Sequence, residues 1–168
     1  MPGAPRVASV WRSEPHRSPQ AGHDAVRRLT SREQFQATLA GPVVAKTEHF
    51  ALHLLTLEAL TPSGPPGSKG DARAVLFPGA GAWLGAMAPK RWARRAVTRN
   101  LIKRQIHHVS SSQQHLFAAA AHVVRLRAAF DPARFASAAS KPLRKFVAKQ
   151  LADLFTQAAP HRAAGAGR

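Results

Sequence analysis

One segment constrains the fold of this chain more than any other, because it combines an apolar stripe with dense charge of one sign. Residues 89–108 read PKRWARRAVTRNLIKRQIHH and carry seven Lys or Arg between Lys90 and Arg104, with no Asp or Glu. Apolar residues recur at helical spacing along one side of this segment and just beyond it: Ile102, Ile106, Val109, Leu116 and Phe117. Polar residues fall on the other side of the same helical wheel: Asn100, Lys103, Arg104 and His107, with Arg99 at the flank. The segment therefore predicts a helix that docks by an apolar face and exposes a cationic ridge.

The start of this helix is predicted from its capping residues. Thr98 is a good N-cap, and it places Val97 and Ile102 at the two positions whose contact forms a hydrophobic staple. Apolar residues before Val97 do not continue the stripe. We therefore expect residues 90–96 to form a connecting turn with four cations: Lys90, Arg91, Arg94 and Arg95.

The charge of the whole chain indicates a polyanionic partner. The 168 residues include 25 Lys and Arg against 8 Asp and Glu, a formal net charge of +17, and no acid lies between Asp71 and Asp131. Such an excess attracts phosphates through long-range steering and counterion release. Nucleic acid is the leading candidate, and an anionic membrane surface is the second.

Cysteine usage and hydropathy bear on the compartment. The chain has no cysteine, which excludes disulfides, thiolate metal sites and a cysteine nucleophile and fits a reducing compartment. No apolar run approaches the roughly 20 residues that a membrane-spanning helix needs, and the first residues do not resemble a signal peptide. We expect a cytoplasmic protein. An organelle transit peptide is the lesser alternative, because Glu14 and Asp24 interrupt the basic N-terminus.

Two tails and a long connection frame the predicted domain, which spans residues 26–158. Residues 1–25 and 159–168 have little apolar periodicity, which favours disorder, and the first of these tails is basic. Residues 61–82 are rich in Pro and Gly and predict a flexible insertion between two strands.

The first half of the domain predicts one helix followed by strands. Thr30 and Glu33 have the spacing of a capping box, and Gly41 is a typical helix stop. Residues 50–54 alternate like a strand with one buried face, and residues 43–46 can form a short strand before it.

The second half predicts two strands around the basic helix and a final helix. Residues 83–88 are a short apolar strand, and residues 121–130 interleave apolar residues with Arg125 and Arg127, which predicts a strand with one basic face. Ser140 caps a last helix with apolar residues at Leu143, Val147, Leu151 and Leu154. Helices that cover a small mixed sheet define an α+β fold.

Hydrolytic chemistry by protein side chains is not predicted. Metal-dependent cleavage of phosphodiesters needs clustered carboxylates, whereas the eight acids are scattered singly along the sequence. His107 and His108 are adjacent, so on a helix they point about 100° apart and do not converge on one phosphate. His49 and His53 would share a strand face but lie four residues apart. The sequence therefore offers no catalytic residue and no metal site.

The basic segment resembles the signature of the protein component of bacterial ribonuclease P. In PKRWARRAVTRNLIKRQI, a Lys/Arg segment, an Ala-Val pair, an Arg-Asn core and an Ile-Lys-Arg run follow one another in the family's order. Flanking segments agree, since RLTSREQFQATLAG resembles the family's first helix and HFALHLL, WLGAMAPKR and HVVRLRAAF resemble its strands. The resemblance covers residues 26–157.

The resemblance implies both a fold and a function. The fold is a two-layer α/β sandwich with a small mixed sheet and a left-handed βαβ crossover, similar to the second domain of a small-subunit ribosomal protein. The function is that of a subunit that binds the catalytic RNA of ribonuclease P and the 5′ leader of precursor tRNA and promotes removal of the leader. The implied protein needs no membrane, no obligate protein partner and no cofactor of its own, because Mg²⁺ is expected with the catalytic RNA.

The resemblance also implies site residues. The positions that match the family's RNA contacts are Lys90, Arg91, Arg94, Arg95, Arg99, Asn100, Lys103 and Arg104, and His107 can replace an arginine there while protonated. Phe35 matches an aromatic residue on the wall of the leader cleft, and Leu39 and His53 stand where family members often have aromatics. For Phe35, packing in the core is an equally open role. Leu101 and the pair His107-His108 depart from the family's usual residues.

Two other functions stay open from the residues alone. The first is a stand-alone ribosomal-type or general RNA-binding protein, which would bind RNA without promoting leader removal. The second is a protein-only nuclease, which would cut RNA after removal of all co-purifying RNA.

Overall fold

The structure, a computed structural model, describes residues 26–57, 75–79 and 81–163. In chain order its elements are β1 (Arg27–Arg28), α1 (Arg32–Leu39), β2 (Val43–Lys46), β3 (Phe50–Thr56), β4 (Trp83–Met87), α2 (Ala96–Ser112), a 3-10 turn (Gln114–Leu116), β5 (Ala120–Leu126) and α3 (Lys141–Ala163). The predicted tail 1–25 lies outside the described residues, as do most of the predicted insertion 61–82 and the end of the predicted tail 159–168.

The five strands form one mixed sheet in the order β1-β4-β5-β3-β2. β4 and β5 run parallel, with Leu84 opposite His122, and α2 lies between them in the chain. β1 is parallel to β4, whereas β3 is antiparallel to both β5 and β2. The predicted α+β class with a small mixed sheet is confirmed, and β4–α2–β5 is the crossover unit in which the resemblance implies a left-handed connection.

The sheet separates two hydrophobic cores. The first core joins α2 and α3 to one face of the sheet through residues such as Phe50, Leu84 and Val124. The second core lies on the opposite face, where Phe35 of α1 packs against a cluster that includes Trp83. Each fully buried Leu or Phe contributes about 1.5–3 kcal/mol of hydrophobic free energy. The larger first core therefore fixes α2 rigidly on the sheet, and α1 adds a smaller cover on the other side.

The start of α1 lies one residue later than predicted. The capping box is formed by Ser31 and Gln34, because the Ser31 hydroxyl accepts a hydrogen bond from the Gln34 amide at 3.2 Å and the Gln34 side chain accepts one from the Ser31 amide. The predicted pairing of Thr30 with Glu33 is wrong. Gln34 is buried, and its Nε2 donates to the Leu76 carbonyl at 2.7 Å. This long-range hydrogen bond favours Gln34 rather than Glu33 as the partner in the capping box.

The start of α2 lies three residues earlier than predicted. The N-cap is Arg95, which makes no side-chain capping hydrogen bond, and Val97 is 56% exposed, so the predicted Thr98 cap and hydrophobic staple are wrong. The Thr98 hydroxyl instead donates to the Ala138 carbonyl at 2.9 Å. The Thr98 side chain, which local geometry would use as a cap, therefore bonds to a distant part of the chain instead.

The start of α3 is confirmed and its end is not. The Ser140 hydroxyl accepts a hydrogen bond from the Leu143 amide at 3.2 Å, and the four predicted apolar positions of this helix are all buried. The helix continues to Ala163, beyond the predicted tail boundary at residue 159. Ala158, one residue before that boundary, still packs against the first core.

The strand β5 carries less exposed charge than predicted. It lies in the middle of the sheet, and all of its residues except Arg125 are buried. Arg127 lies beyond the strand and donates from Nη1 to the Thr47 carbonyl at 3.2 Å. The prediction of a continuous basic face is wrong, because helices cover both sides of this central strand and only Arg125 remains partly exposed.

Within the described ranges, none of the helices combines the length and the apolar character that crossing a membrane requires.

Candidate nucleic-acid interface

The cations before α2 lie on a short turn with a fixed backbone. The amides of Trp92 and Ala93 both donate to the Pro89 carbonyl at 3.1 Å, and the Ala93 side chain is buried in the first core. The charged side chains of this cationic turn are exposed: Lys90, Arg91, Arg94 and Arg95. A rigid backbone thus presents four positive charges to solvent.

Arg99 ties the cationic turn to α2. Its Nη1 donates to the carbonyl of Ala93 at 3.1 Å and to that of Arg94 at 2.7 Å. In the free protein Arg99 is therefore a positioning residue for the turn, and its direct contact with RNA stays a prediction.

The outer face of α2 forms a shallow depression with β1. The residues that line it are Arg28, Asn100, Lys103, Arg104, His107, His108 and Ser111. Ile102 and Ile106 on the opposite side of α2 have no exposed surface, so the predicted division into an apolar and a cationic face is confirmed within α2. The predicted extent of the apolar stripe is wrong, because α2 ends at Ser112 and both Leu116 and Phe117 lie beyond it, at the 3-10 turn. Among the described residues, the close contacts between basic and acidic side chains lie elsewhere, between Lys149 and Asp153 and between His49 and Glu48. The charges of the depression are uncompensated within the described part of the protein.

The pKa of His107 is lowered in this depression. Burial lowers its pKa from 6.5, and the positive charge of Arg28 lowers it further. A phosphate group placed beside the ring would favour the imidazolium and raise the pKa again. The contribution of His107 to anion binding is therefore coupled to uptake of a proton.

Phe35 covers the backbone of β4 at Gly85. A Cβ atom at Gly85 would lie 2.5 Å from Cε1 of Phe35 and 2.8 Å from Cδ1 of Leu29, so a glycine is required for this approach. Phe35 is half-buried and packs against the second core. Of its two open roles, core packing is present in the free protein, and base stacking stays a prediction.

The other two predicted cleft residues lie on the same side of the sheet. Leu39 packs against the second core, and His53 lies on β3 opposite Val43, with its Nδ1 3.4 Å from the Gly41 carbonyl. Together with Phe35 they border the face that α1 covers.

Two further cations lie beside the predicted site and were not assigned to it. Arg28 is brought next to α2 because β1 pairs with β4, a long-range pairing that no local motif indicates. Arg125 lies in β5 opposite Ala51 of β3 and Met87 of β4, and its Nε is buried without a hydrogen-bond partner among the described residues. Arg125 alternates along β5 with Val124 and Leu126 of the first core, so it lies on the opposite face of the sheet, which α1 covers.

Comparison with known proteins decides the family. The family model described as Ribonuclease P matches residues 24–151. The ribonuclease P protein component of Burkholderia pseudomallei (strain 1106a) is 40% identical over 132 residues, which cover 79% of this chain and 82% of that protein. The chain belongs to the ribonuclease P protein family. The ribonuclease P protein component of Ralstonia pickettii (strain 12J) is 29% identical over 128 residues, or 76% of each chain.

A solved structure of the ribonuclease P protein of Staphylococcus aureus shares the fold. It superposes with a TM-score of 0.52 at 18% identity and covers 79% of this chain and 94% of that one. Family membership gives this chain the role of the protein subunit of ribonuclease P in tRNA 5′ processing. It favours that role over the stand-alone RNA-binding protein and the protein-only nuclease.

Leu101 departs from the ribonuclease P pattern, and its side chain is part of the core. Leu101, which stands where the family usually has an arginine, is 7% exposed and packs in the first core. This position contributes to docking of α2 in the free protein. The cationic ridge therefore depends on the remaining charges of α2 and on Arg28.

Proposed function

We propose that this subunit binds the catalytic RNA of ribonuclease P through the cationic turn and the outer face of α2. The observation that carries the proposal is the row of uncompensated cations on a rigidly docked helix. Phosphates that replace the counterions of this surface release them to solvent, and the binding constant then depends steeply on salt. Repulsion among these cations in the free protein is offset when the phosphates arrive.

The α1 side of the sheet is proposed to hold the 5′ leader of precursor tRNA. Phe35 and His53 offer ring surfaces, and Arg125 adds a partly buried positive charge nearby on the same face. Single-stranded nucleic acid binds where rings for stacking lie beside cations that follow the backbone. The leader would thus be fixed on the sheet face opposite to α2.

The metal chemistry of the reaction is assigned to the RNA. Among the described residues, no group of three or more His, Asp or Glu side chains could hold a metal ion. Mg²⁺ bound with the catalytic RNA would supply the activated nucleophile and stabilise charge in the transition state. The protein residues bind, orient and neutralise the RNA, which lowers the Mg²⁺ concentration that cleavage requires.

Cleavage of precursor tRNA by the cognate catalytic RNA tests this function. The rate and the substrate affinity are measured over a range of low Mg²⁺ concentrations, with and without the protein. We expect the protein to raise substrate affinity and to shift the Mg²⁺ requirement downward. Unchanged rate and affinity would contradict the proposal, and RNA cleavage by the protein freed of all RNA would indicate a nuclease instead.

The phosphate contacts of α2 are tested by salt dependence. Lys103→Ala should lower the slope of log binding constant against log salt by about 0.7–0.9 for one lost phosphate contact. Lys145→Ala removes the same charge from an exposed position of α3 and serves as the matched control, with no expected change in slope. Arg99→Ala is less informative, because it also removes the two hydrogen bonds that hold the cationic turn. Equal slopes for Lys103→Ala and the unaltered protein would show that this side chain meets no phosphate.

A further inference from the structure

A cavity with cationic side chains, separate from the depression on α2, lies between the cationic turn and the loop that follows β5. Its volume is about 430 Å³, within the range of about 300–1,000 Å³ that is typical of small-ligand sites. The residues that give it chemical character are Arg91, Trp92, Arg94, Arg95, Phe130 and Phe135. None of the described residues that line it is acidic. The cavity thus offers ring surfaces together with positive charge.

The loop wall of this cavity is held in place before any ligand binds. The hydrogen bond from Thr98 to the Ala138 carbonyl ties the loop to the first turn of α2. Phe130 stacks on His49 with ring centroids 4.5 Å apart and an angle of 9°, and it meets Phe135 edge to face at 6.1 Å. A preformed wall binds a ligand without the entropy cost of ordering a loop.

Trp92 forms the opposite wall together with a guanidinium group. The Cζ atom of Arg91 lies 5.3 Å from the centroid of the Trp92 ring. The indole Nε1 is buried and has no hydrogen-bond partner among the described residues, so the ring is positioned by packing rather than by a polar anchor. An aromatic ring beside an arginine is a recurrent surface for stacking an unpaired base.

Part of the cavity lining is suited to a phosphate. Arg94 and Arg95 line the cavity just before α2 begins, and the N-terminus of α2 has no side-chain cap. The first amides of such a helix lack intrahelical acceptors, and the helix dipole adds a partial positive charge there. Aromatic rings and anion-binding groups therefore line the same cavity.

We propose that this cavity binds one unpaired nucleotide of the catalytic RNA, with its base against Trp92 and Phe135 and its phosphate at Arg94 and Arg95. This inference rests on the proposed function, because it adds a contact to the same RNA. Trp92, Phe130 and Phe135 all pack against the first core, whereas Phe35 packs against the second. The cavity therefore lies across the sheet from the proposed leader path and beside the surface proposed for the catalytic RNA.

Three substitutions in the full chain test the proposal by titration with the cognate ribonuclease P RNA. Trp92→Leu should weaken binding about tenfold and leave the salt slope unchanged, because stacking on an aromatic ring is lost and no charge is removed. Arg95→Ala should weaken binding and lower the salt slope by about 0.7–0.9. Arg144→Ala, at an exposed position of α3 outside the cavity, is the matched control and should change neither. Precursor tRNA in the absence of the catalytic RNA should bind Trp92→Leu and the unaltered protein equally.

If a folded Trp92→Leu variant binds the catalytic RNA with an affinity within twofold of the unaltered protein, the proposal that the cavity binds a nucleotide is wrong, while the proposed function stands. An equal loss of affinity for precursor tRNA would overturn its assignment to the catalytic RNA. Failure of the unaltered protein to bind the catalytic RNA would overturn the proposed function itself.

Photocrosslinking covers the case in which Trp92→Leu does not fold. The unaltered chain is irradiated with cognate RNA that contains 4-thiouridine, and the crosslinked peptides are mapped. Crosslinks at Trp92 or within residues 129–138 would support nucleotide binding in the cavity. Crosslinks confined to other surfaces would contradict it.

Discussion

Acidification is expected to destabilise this protein through one buried histidine. His122 lies in β5 and is 4% exposed, and burial lowers its pKa from 6.5 to about 4, against the opposing effect of hydrogen bonds with the backbone of Trp83 and Ala120. The Nδ1 atom lies 3.2 Å from the Trp83 carbonyl. Because a carbonyl can only accept, Nδ1 carries the proton of the neutral ring. The folded state therefore holds His122 uncharged across the physiological range.

The size of the effect follows from the two pKa values. The unfolded chain protonates His122 near pH 6.5 and the folded chain only near pH 4, so the unfolded state binds more protons in this window. The stabilising contribution is fully present above pH 6.5 and is lost as the pH falls. From this group alone, the free energy of unfolding should fall by about 2 kcal/mol at pH 5 and about 3 kcal/mol at pH 4.

Denaturant unfolding of the RNA-free chain between pH 7.5 and pH 4 measures this loss. His122→Asn keeps a side-chain N–H that can reach the Trp83 carbonyl but does not titrate. On acidification, the free energy of unfolding of this variant should therefore fall by about 2 kcal/mol less at pH 5, and about 3 kcal/mol less at pH 4, than that of the unaltered protein. His115→Asn changes an exposed histidine on the 3-10 turn and is the matched control, which should follow the unaltered protein. If the unaltered protein and His122→Asn lost stability in parallel, the reasoning from burial would be refuted.

Two further substitutions probe the α1 side of the sheet. Gly85→Ala should lower the free energy of unfolding by about 1–3 kcal/mol, because the new Cβ meets the Phe35 ring at 2.5 Å; thermal unfolding measures it, and adding Phe35→Leu should restore part of the loss. Ser31→Ala should cost about 1 kcal/mol by removing the cap of α1, whereas Thr30→Ala should cost less, because the Thr30 side chain forms no capping bond in the structure. A larger loss for Thr30→Ala than for Ser31→Ala would restore the capping box predicted from sequence.

Periodicity predicted the parts of the fold that depend on one local pattern. The apolar stripes of α2 and α3 correctly indicated which faces are buried, because a helix of 3.6 residues per turn needs no distant information to define a face. The resemblance to the ribonuclease P signature likewise lies in one contiguous segment, and the family comparison confirms it.

Helix starts were predicted less well because caps compete with tertiary partners. Ser31, Thr98 and Ser140 are all plausible caps by residue type, yet Thr98 donates to Ala138, 40 residues away. Gln34 is chosen over Glu33 because its amide also reaches Leu76. Such bonds depend on where the chain returns, which no local motif states.

The candidate site divides in the same way. An uncompensated cationic ridge on a docked helix could be predicted from the sequence, because charge and helical period are properties of adjacent residues. The position of Arg28 beside that ridge, where it lowers the pKa of His107, and the position of Arg125 on the α1 side depend on the folded arrangement of the strands. Folding of the chain likewise brings Trp92 to the loop of Phe130 and Phe135. These placements cannot be read from adjacent residues, because strand order and loop packing join residues far apart in the chain and the burial of both sheet faces selects that order.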